Sequence, residues 1–265
     1  MANEICGFNE AELDKFETFR TIIERLRGKD GCPWDRRQTH ESLKKYLIEE
    51  SYEVLEAIDR NDMPALSEEL GDLWLQIMLH SQIAWDSGEF SLEDVLRGIN
   101  TKMISRHPHV FGGKKVADAE EASVSWQEIK DQEKDGSQSL LAGIPGSLPA
   151  LAYSQTVGRR VADIGFDWKK ADDIIDKLVE EIEELKNAVT QEEKNHEFGD
   201  VLLVLTSVAR RMDVDLESAL RQANSRFARR FQYIEGICRE RGLDLRGMKL
   251  AEMDAIWDEA KRKVG

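Results

Sequence analysis

No apolar run in this chain approaches the roughly 20 residues that an α-helix needs to cross a bilayer, so a helical membrane span is excluded. The N-terminus, MANEICGFNE, lacks the basic and apolar regions of a secretory signal, and the expected location is cytoplasmic. Cysteine is sparse: Cys6, Cys32 and Cys238 form no CxxC pair and no zinc spacing. Free thiols in a reducing compartment are expected. Proline occurs only 5 times and aromatics make up 7%, which disfavours a sheet protein built on many turns. Positive charge is also short. Lys and Arg total 37 against 52 Asp and Glu, a net charge of −15. That balance argues against a nucleic acid polymer or an anionic membrane as partner. A small polyanion remains compatible, because a divalent cation with a few local bases inverts the local field.

What the sequence has in quantity is helical periodicity. The pattern predicts helices over 11–26, 41–60, 64–86, 91–106 and around Trp126. A stretch rich in Gly, Ser and Pro, DGSQSLLAGIPGSLP at 135–149, then interrupts it. The pattern resumes with helices near 149–164, 170–189, 191–212, 215–241 and 250–263. Ser91 with Asp94 and Thr190 with Glu193 have capping-box spacing. The expectation is an all-α fold with a first domain over 1–136, a linker over 137–148 and a second domain over 149–265.

The second half repeats the first. LIEESYEVLEAI at 47–58 aligns with LVEEIEELKNAV at 178–189, and EELGDLWLQI at 68–77 with HEFGDVLLVL at 196–205. SLEDVLRGINTKMISR at 91–106 aligns with DLESALRQANSRFARR at 215–230, and WQEIK at 126–130 with WDEAK at 257–261. The register is constant inside each predicted helix and drifts only across loops, as in a duplicated helical unit. The matched polar pairs are Glu50/Glu181, Glu53/Glu184, Glu69/Glu197, Asp72/Asp200, Asn100/Asn224, Lys102/Arg226, Arg106/Arg230, Trp126/Trp257 and Lys130/Lys261.

Residues three apart on a helix share a face. Glu181 with Glu184, and Glu197 with Asp200, therefore make two carboxylate pairs that converge if their helices pack antiparallel. Such a group cannot stay fully ionised without compensation. Mg²⁺, which favours carboxylate and phosphate oxygens, supplies it. Asp200 shares a stripe with Val204 and Ser207 and is expected to point inward, and no Lys or Arg lies three or four positions from it on its helix. Arg226 and Arg230, four apart, are expected to face the acids and grip phosphate. Trp126 and Trp257 fit either a core or a base-stacking role, and all five histidines read as incidental. The acidic groove alone also fits a non-catalytic helical scaffold.

EExxE followed by ExxD, present as Glu49-Glu50-x-x-Glu53 with Glu69-x-x-Asp72 and as Glu180-Glu181-x-x-Glu184 with Glu197-x-x-Asp200, resembles the signature of the MazG family of nucleoside triphosphate pyrophosphohydrolases. GCPWD at 31–35, RHPHVFG at 106–112 and the tandem arrangement extend the resemblance over nearly the whole chain. It implies four-helix-bundle-like modules formed by a homodimer, Mg²⁺ dependence, and hydrolysis of both ribo- and deoxyribonucleoside triphosphates to monophosphate and pyrophosphate. It further implies that Glu181, Glu184, Glu197 and Asp200 hold metal and carry catalysis. Glu50, Glu53, Glu69 and Asp72 are the corresponding metal ligands of the first half. Asn224, Arg226, Arg230, Trp257 and Lys261 would bind the nucleotide. The second half is expected to carry most of the activity.

Overall fold

The computed structural model describes residues 4–133 and 139–264. Residues 137 and 138 of the expected linker lie outside the described residues. Internal contacts divide the chain into two compact units, Met1–Asp135 and Gly136–Gly265. Residues 140–142 are tied to the second of them, where Arg160 donates to the carbonyls of Leu140 and Ala142. None of the described helices is long and apolar enough to cross a membrane.

The first unit holds α1 (Phe16–Arg27), α2 (His40–Arg60), α3 (Met63–Asp86), α4 (Leu92–Arg106), α5 (Pro108–Phe111) and α6 (Ala119–Gln132). A two-residue antiparallel ladder, Glu4–Ile5 with Phe8–Asn9, precedes them. Helix α1 begins later than its periodicity predicts. Asn9 caps a 3₁₀ turn at Glu10–Glu12 instead, and that local hydrogen bond takes the residues expected to open the helix. The α2–α3 turn is two residues long, with Asn61 in the left-handed region at φ 53° and Asp62 capping α3. So short a turn folds α3 back antiparallel along α2. Ile23, Leu43, Met78, Leu79 and Ile83 form the core between α1, α2 and α3. Each such side chain contributes about 1.5–3 kcal/mol on burial. The GCPWD loop is fixed against this core. Arg27 donates to the Asp35 carbonyl and pairs with Asp86, and a Cβ at Gly31 would fall 2.2 Å from the Arg25 carbonyl oxygen.

The second unit repeats this plan with α7 (Ala150–Asp163), α8 (Ala171–Asn187), α9 (Gln191–Arg211), α10 (Leu216–Arg241) and α11 (Leu250–Lys263). Helix α8 packs along α9 as α2 does along α3, α7 lies on α9 as α1 lies on α3, and α10 pairs with α11 as α4 does with α6. The duplication is therefore one of packing as well as of sequence. Gly242, at φ 65°, ends α10 in the left-handed conformation. Ile234, Cys238 and Ile256 form a core between α10 and α11, with Trp257 half-buried against it. The three cysteines are free thiols.

Candidate active site

The acidic residues of the second unit meet where α8 turns into α9. On α8, Glu181 occupies the stripe of Ile174, Leu178 and Leu185 and is buried, at 5% exposure. A buried carboxylate is costly without a partner, and Lys177, one turn earlier, supplies one. Its Nζ lies 2.8 Å from Glu181 Oε1 and 2.8 Å from Glu180 Oε1. Those hydrogen bonds hold the Lys177 ammonium well above its ordinary pKa. Glu184 is exposed one turn further along.

The start of α9 is set by its capping box. The Thr190 hydroxyl accepts the Glu193 N–H, and the Glu193 carboxylate accepts the N–H groups of Val189 and Thr190 at 2.8 and 2.9 Å. These backbone donors depress the Glu193 pKa and commit that carboxylate to the cap. With the helix phased in this way, Glu197 and Asp200 both face α8. Ligand oxygens of Glu181, Glu184 and Glu197 lie within 4.8 Å of one another, as do donor atoms of His196, Glu197 and Asp200. An open cleft of about 630 Å³ is lined by Lys177, Glu181, Glu184, His196, Glu197 and Asp200, together with residues of the turn. Asp200 stands at the mouth with 37% of its side chain exposed, while Val204 on the same stripe is buried.

Loss of solvent, followed by the negative charges of Glu181 and Glu197, raises the Glu184 pKa. One carboxylate that resists ionisation beside others, all of them hard oxygen donors, fits a divalent cation such as Mg²⁺. The first unit carries the same device. Donor oxygens of Glu50, Glu53 and Glu69 lie within 4.8 Å. Glu50 is raised by desolvation and then by Asp72, Glu53 and Glu69, which places Asp72 beside the group. Glu69 is raised in the same sense.

The basic residues lie elsewhere. Asn224 and Arg226 are exposed on α10, and Lys261 on α11 pairs with Asp258 at 3.0 Å. The Arg230 guanidinium sits 5.6 Å from the Trp257 ring centre, and Phe227 meets the same ring at 5.1 Å. In the first unit Arg106 lies 5.5 Å from Trp126, so the duplication preserves this cation–π pair. Helix α10 packs on α11 and α7, and none of Asn224, Arg226, Arg230, Trp257 and Lys261 lines the acidic cleft. The half-buried Trp257 ring serves the α10–α11 core.

Two residues that the sequence reading passed over belong to the cleft. One is Lys177. The other is His196, whose Nδ1 lies 2.9 Å from Asp200 Oδ2 and 3.7 Å from Glu197 Oε1. The sequence reading took the histidines as incidental and sought only Lys or Arg beside Asp200, whereas the structure sets an imidazole there. The signal was present as i,i+4 spacing, Lys177 to Glu181 and His196 to Asp200.

An all-α tandem repeat that gathers carboxylates at the turns of its helical hairpins defines the class: a duplicated helical protein with an acidic cleft in each unit. The model of the MazG nucleotide pyrophosphohydrolase domain matches twice, at residues 38–111 and 169–234. Each match covers one hairpin with its acids. The nucleoside triphosphate pyrophosphohydrolase/pyrophosphatase MazG of Thermotoga maritima is 43% identical over 93% of this chain and 95% of its own. The nucleoside triphosphate pyrophosphohydrolase of Escherichia coli K12 is 38% identical over 95% of this chain and 98% of its own. YabN of Bacillus subtilis, an uncharacterized protein, is 47% identical over 93% of this chain, which spans about half (52%) of YabN. The chain belongs to the MazG family.

Proposed function

We propose that this protein hydrolyses nucleoside triphosphates to the monophosphate and pyrophosphate, with Mg²⁺ held in the α8–α9 cleft. The observation that carries this reading is the convergence of Glu181, Glu184, Glu197 and Asp200 on one cleft, in a chain of this family. Those four residues would hold the metal, which supplies charge neutralisation and Lewis acidity when bound. Lys177 pairs with the buried Glu181 and fixes its orientation. Water oxygen forms a bond to the α-phosphorus while the bond from that phosphorus to the bridging oxygen breaks. Pyrophosphate leaves, and the released proton passes to the cleft's carboxylates, among which Glu184 has its proton affinity raised. We assign to the same site a broad specificity across ribo- and deoxyribonucleoside triphosphates. Mg-ATP is expected to yield AMP and pyrophosphate on an anion-exchange column. ADP and phosphate would reject the assignment.

The working form is assigned as a homodimer. Val179, Ile182, Phe198 and Leu202 remain exposed on α8 and α9. A two-helix hairpin with apolar residues on an open face completes a bundle by pairing with a second hairpin. A second copy of this chain supplies one, and its assembly is the step we assign to bringing Arg226 and Arg230 toward a bound triphosphate. Sedimentation equilibrium is expected to give twice the chain mass, and Phe198→Glu to give the monomer. A monomeric wild type would remove the dimer from the proposal.

A further inference from the structure

We propose that His196 is a nitrogen ligand to the cation of the second cleft, and that it shifts this site toward Mn²⁺ or Co²⁺ relative to the first. The inference rests on the α8–α9 cleft being a metal site.

Three observations carry it. The first is spacing. Two ligands in adjacent corners of an octahedron, each about 2.1 Å from the ion, lie about 3.0 Å apart. His196 Nδ1 stands 2.9 Å from Asp200 Oδ2 and 3.7 Å from Glu197 Oε1, so an ion accepted by both acids lies within reach of this nitrogen. The second is freedom from any packing role. The side chain is 74% exposed, on the cleft wall, beside the two carboxylates. The third is internal comparison. The matching residue of the first unit is Glu68, and the ligand group there, Glu50, Glu53 and Glu69, consists of carboxylates. One chain thus carries two copies of the same acidic hairpin that differ in one donor. Imidazole nitrogen favours later first-row ions, whereas Mg²⁺ favours oxygen.

A competing role for His196 is to donate a hydrogen bond to Asp200 and orient it, without touching the ion. Electron spin-echo spectroscopy of the full chain loaded with Mn²⁺ separates the two. Nitrogen-14 modulation is expected in the wild type and is expected to vanish in His196→Glu, which restores the residue of the first unit. In competition titrations the Mn²⁺ to Mg²⁺ affinity ratio is expected to fall about tenfold or more in that variant, since loss of even an outer-shell partner costs 10–100-fold. A wild-type spectrum without nitrogen modulation overturns the proposal, and so does an unchanged affinity ratio. Pyrophosphate release under Mg²⁺ from the same preparation then distinguishes failure of this ligand from failure of the metal site itself.

Discussion

Asp167 receives both terminal nitrogens of Arg210, at 3.1 and 2.6 Å, and both side chains are largely withdrawn from water, at 16% and 17% exposure. The pair ties the GFDW loop ahead of α8 to the last turn of α9. It therefore fixes the ends of the two helices opposite the cleft. Arg210's hydrogen bonds, offset in part by desolvation, hold the Asp167 pKa below its ordinary 3.8. A folded-state pKa below the unfolded one means stability that is present above the unfolded value and lost as pH falls through the folded value. Asp167→Asn is accordingly expected to cost about 2–3 kcal/mol near neutral pH, since it leaves a mostly buried guanidinium without its counter-charge. The deficit should shrink as pH drops below 3.8, where the wild type loses the same pair. Urea denaturation at stepped pH measures this, and a deficit independent of pH would show that packing, not charge, is the source. The sequence places Asp167 in a loop but gives no sign of Arg210, which lies 43 positions away and is joined to it only by tertiary folding.

At the level of elements, local chemistry was the most readable part of the chain. Both predicted capping boxes, Ser91 with Asp94 and Thr190 with Glu193, form with reciprocal hydrogen bonds. Helices α8 to α11 fall within a residue or two of their periodic patterns. The starts of α9 and α10 are encoded within one turn by the side-chain caps Thr190 and Asp215, and the end of α10 by Gly242. The readings that missed depend on competition or on distance. The 3₁₀ turn at Glu10–Glu12 outcompetes the first turn of α1. Pro108 lies just past the end of α4 and opens the one-turn helix α5, because proline is accepted at a first helical position. The carboxylate pairs were legible because i,i+3 spacing alone puts them on one face. The position of the basic helix was not legible, because the contacts of α10 with α7 and α11 are tertiary. The α9 cap also bears on the site, since it sets the rotation of Glu197 and Asp200 toward α8. Thr190→Ala is expected to cost about 1 kcal/mol, read as a lowered urea midpoint. Because the Glu193 carboxylate still accepts two backbone N–H groups, α9 should keep its start and metal-dependent turnover should persist. Loss of turnover with the fold intact would mean that Thr190 touches the substrate.

Across the whole molecule, the same four acids occur twice, but the side chains that answer them differ. In the second unit Lys177 and His196 stand against Glu181 and Asp200. Their matching positions in the first unit are Tyr46 and Glu68. The first hairpin thus replaces a cation with a phenol and an imidazole with another carboxylate, and its Glu50 and Glu69 both resist ionisation. An extra negative charge next to the ligands repels an incoming triphosphate, whereas a lysine at the cleft wall lowers that repulsion. The duplicated acids need not therefore mean duplicated activity. Glu184→Gln is expected to reduce pyrophosphate release by about a hundredfold or more, in line with the loss of a metal ligand. Glu53→Gln should leave release within about twofold of wild type. Steady-state assays under saturating Mg²⁺, with circular dichroism to verify the fold, compare the two directly. Equal losses would make both clefts catalytic, and the reverse order would move the active centre to the first hairpin, where Lys177 and His196 have no counterparts to explain it.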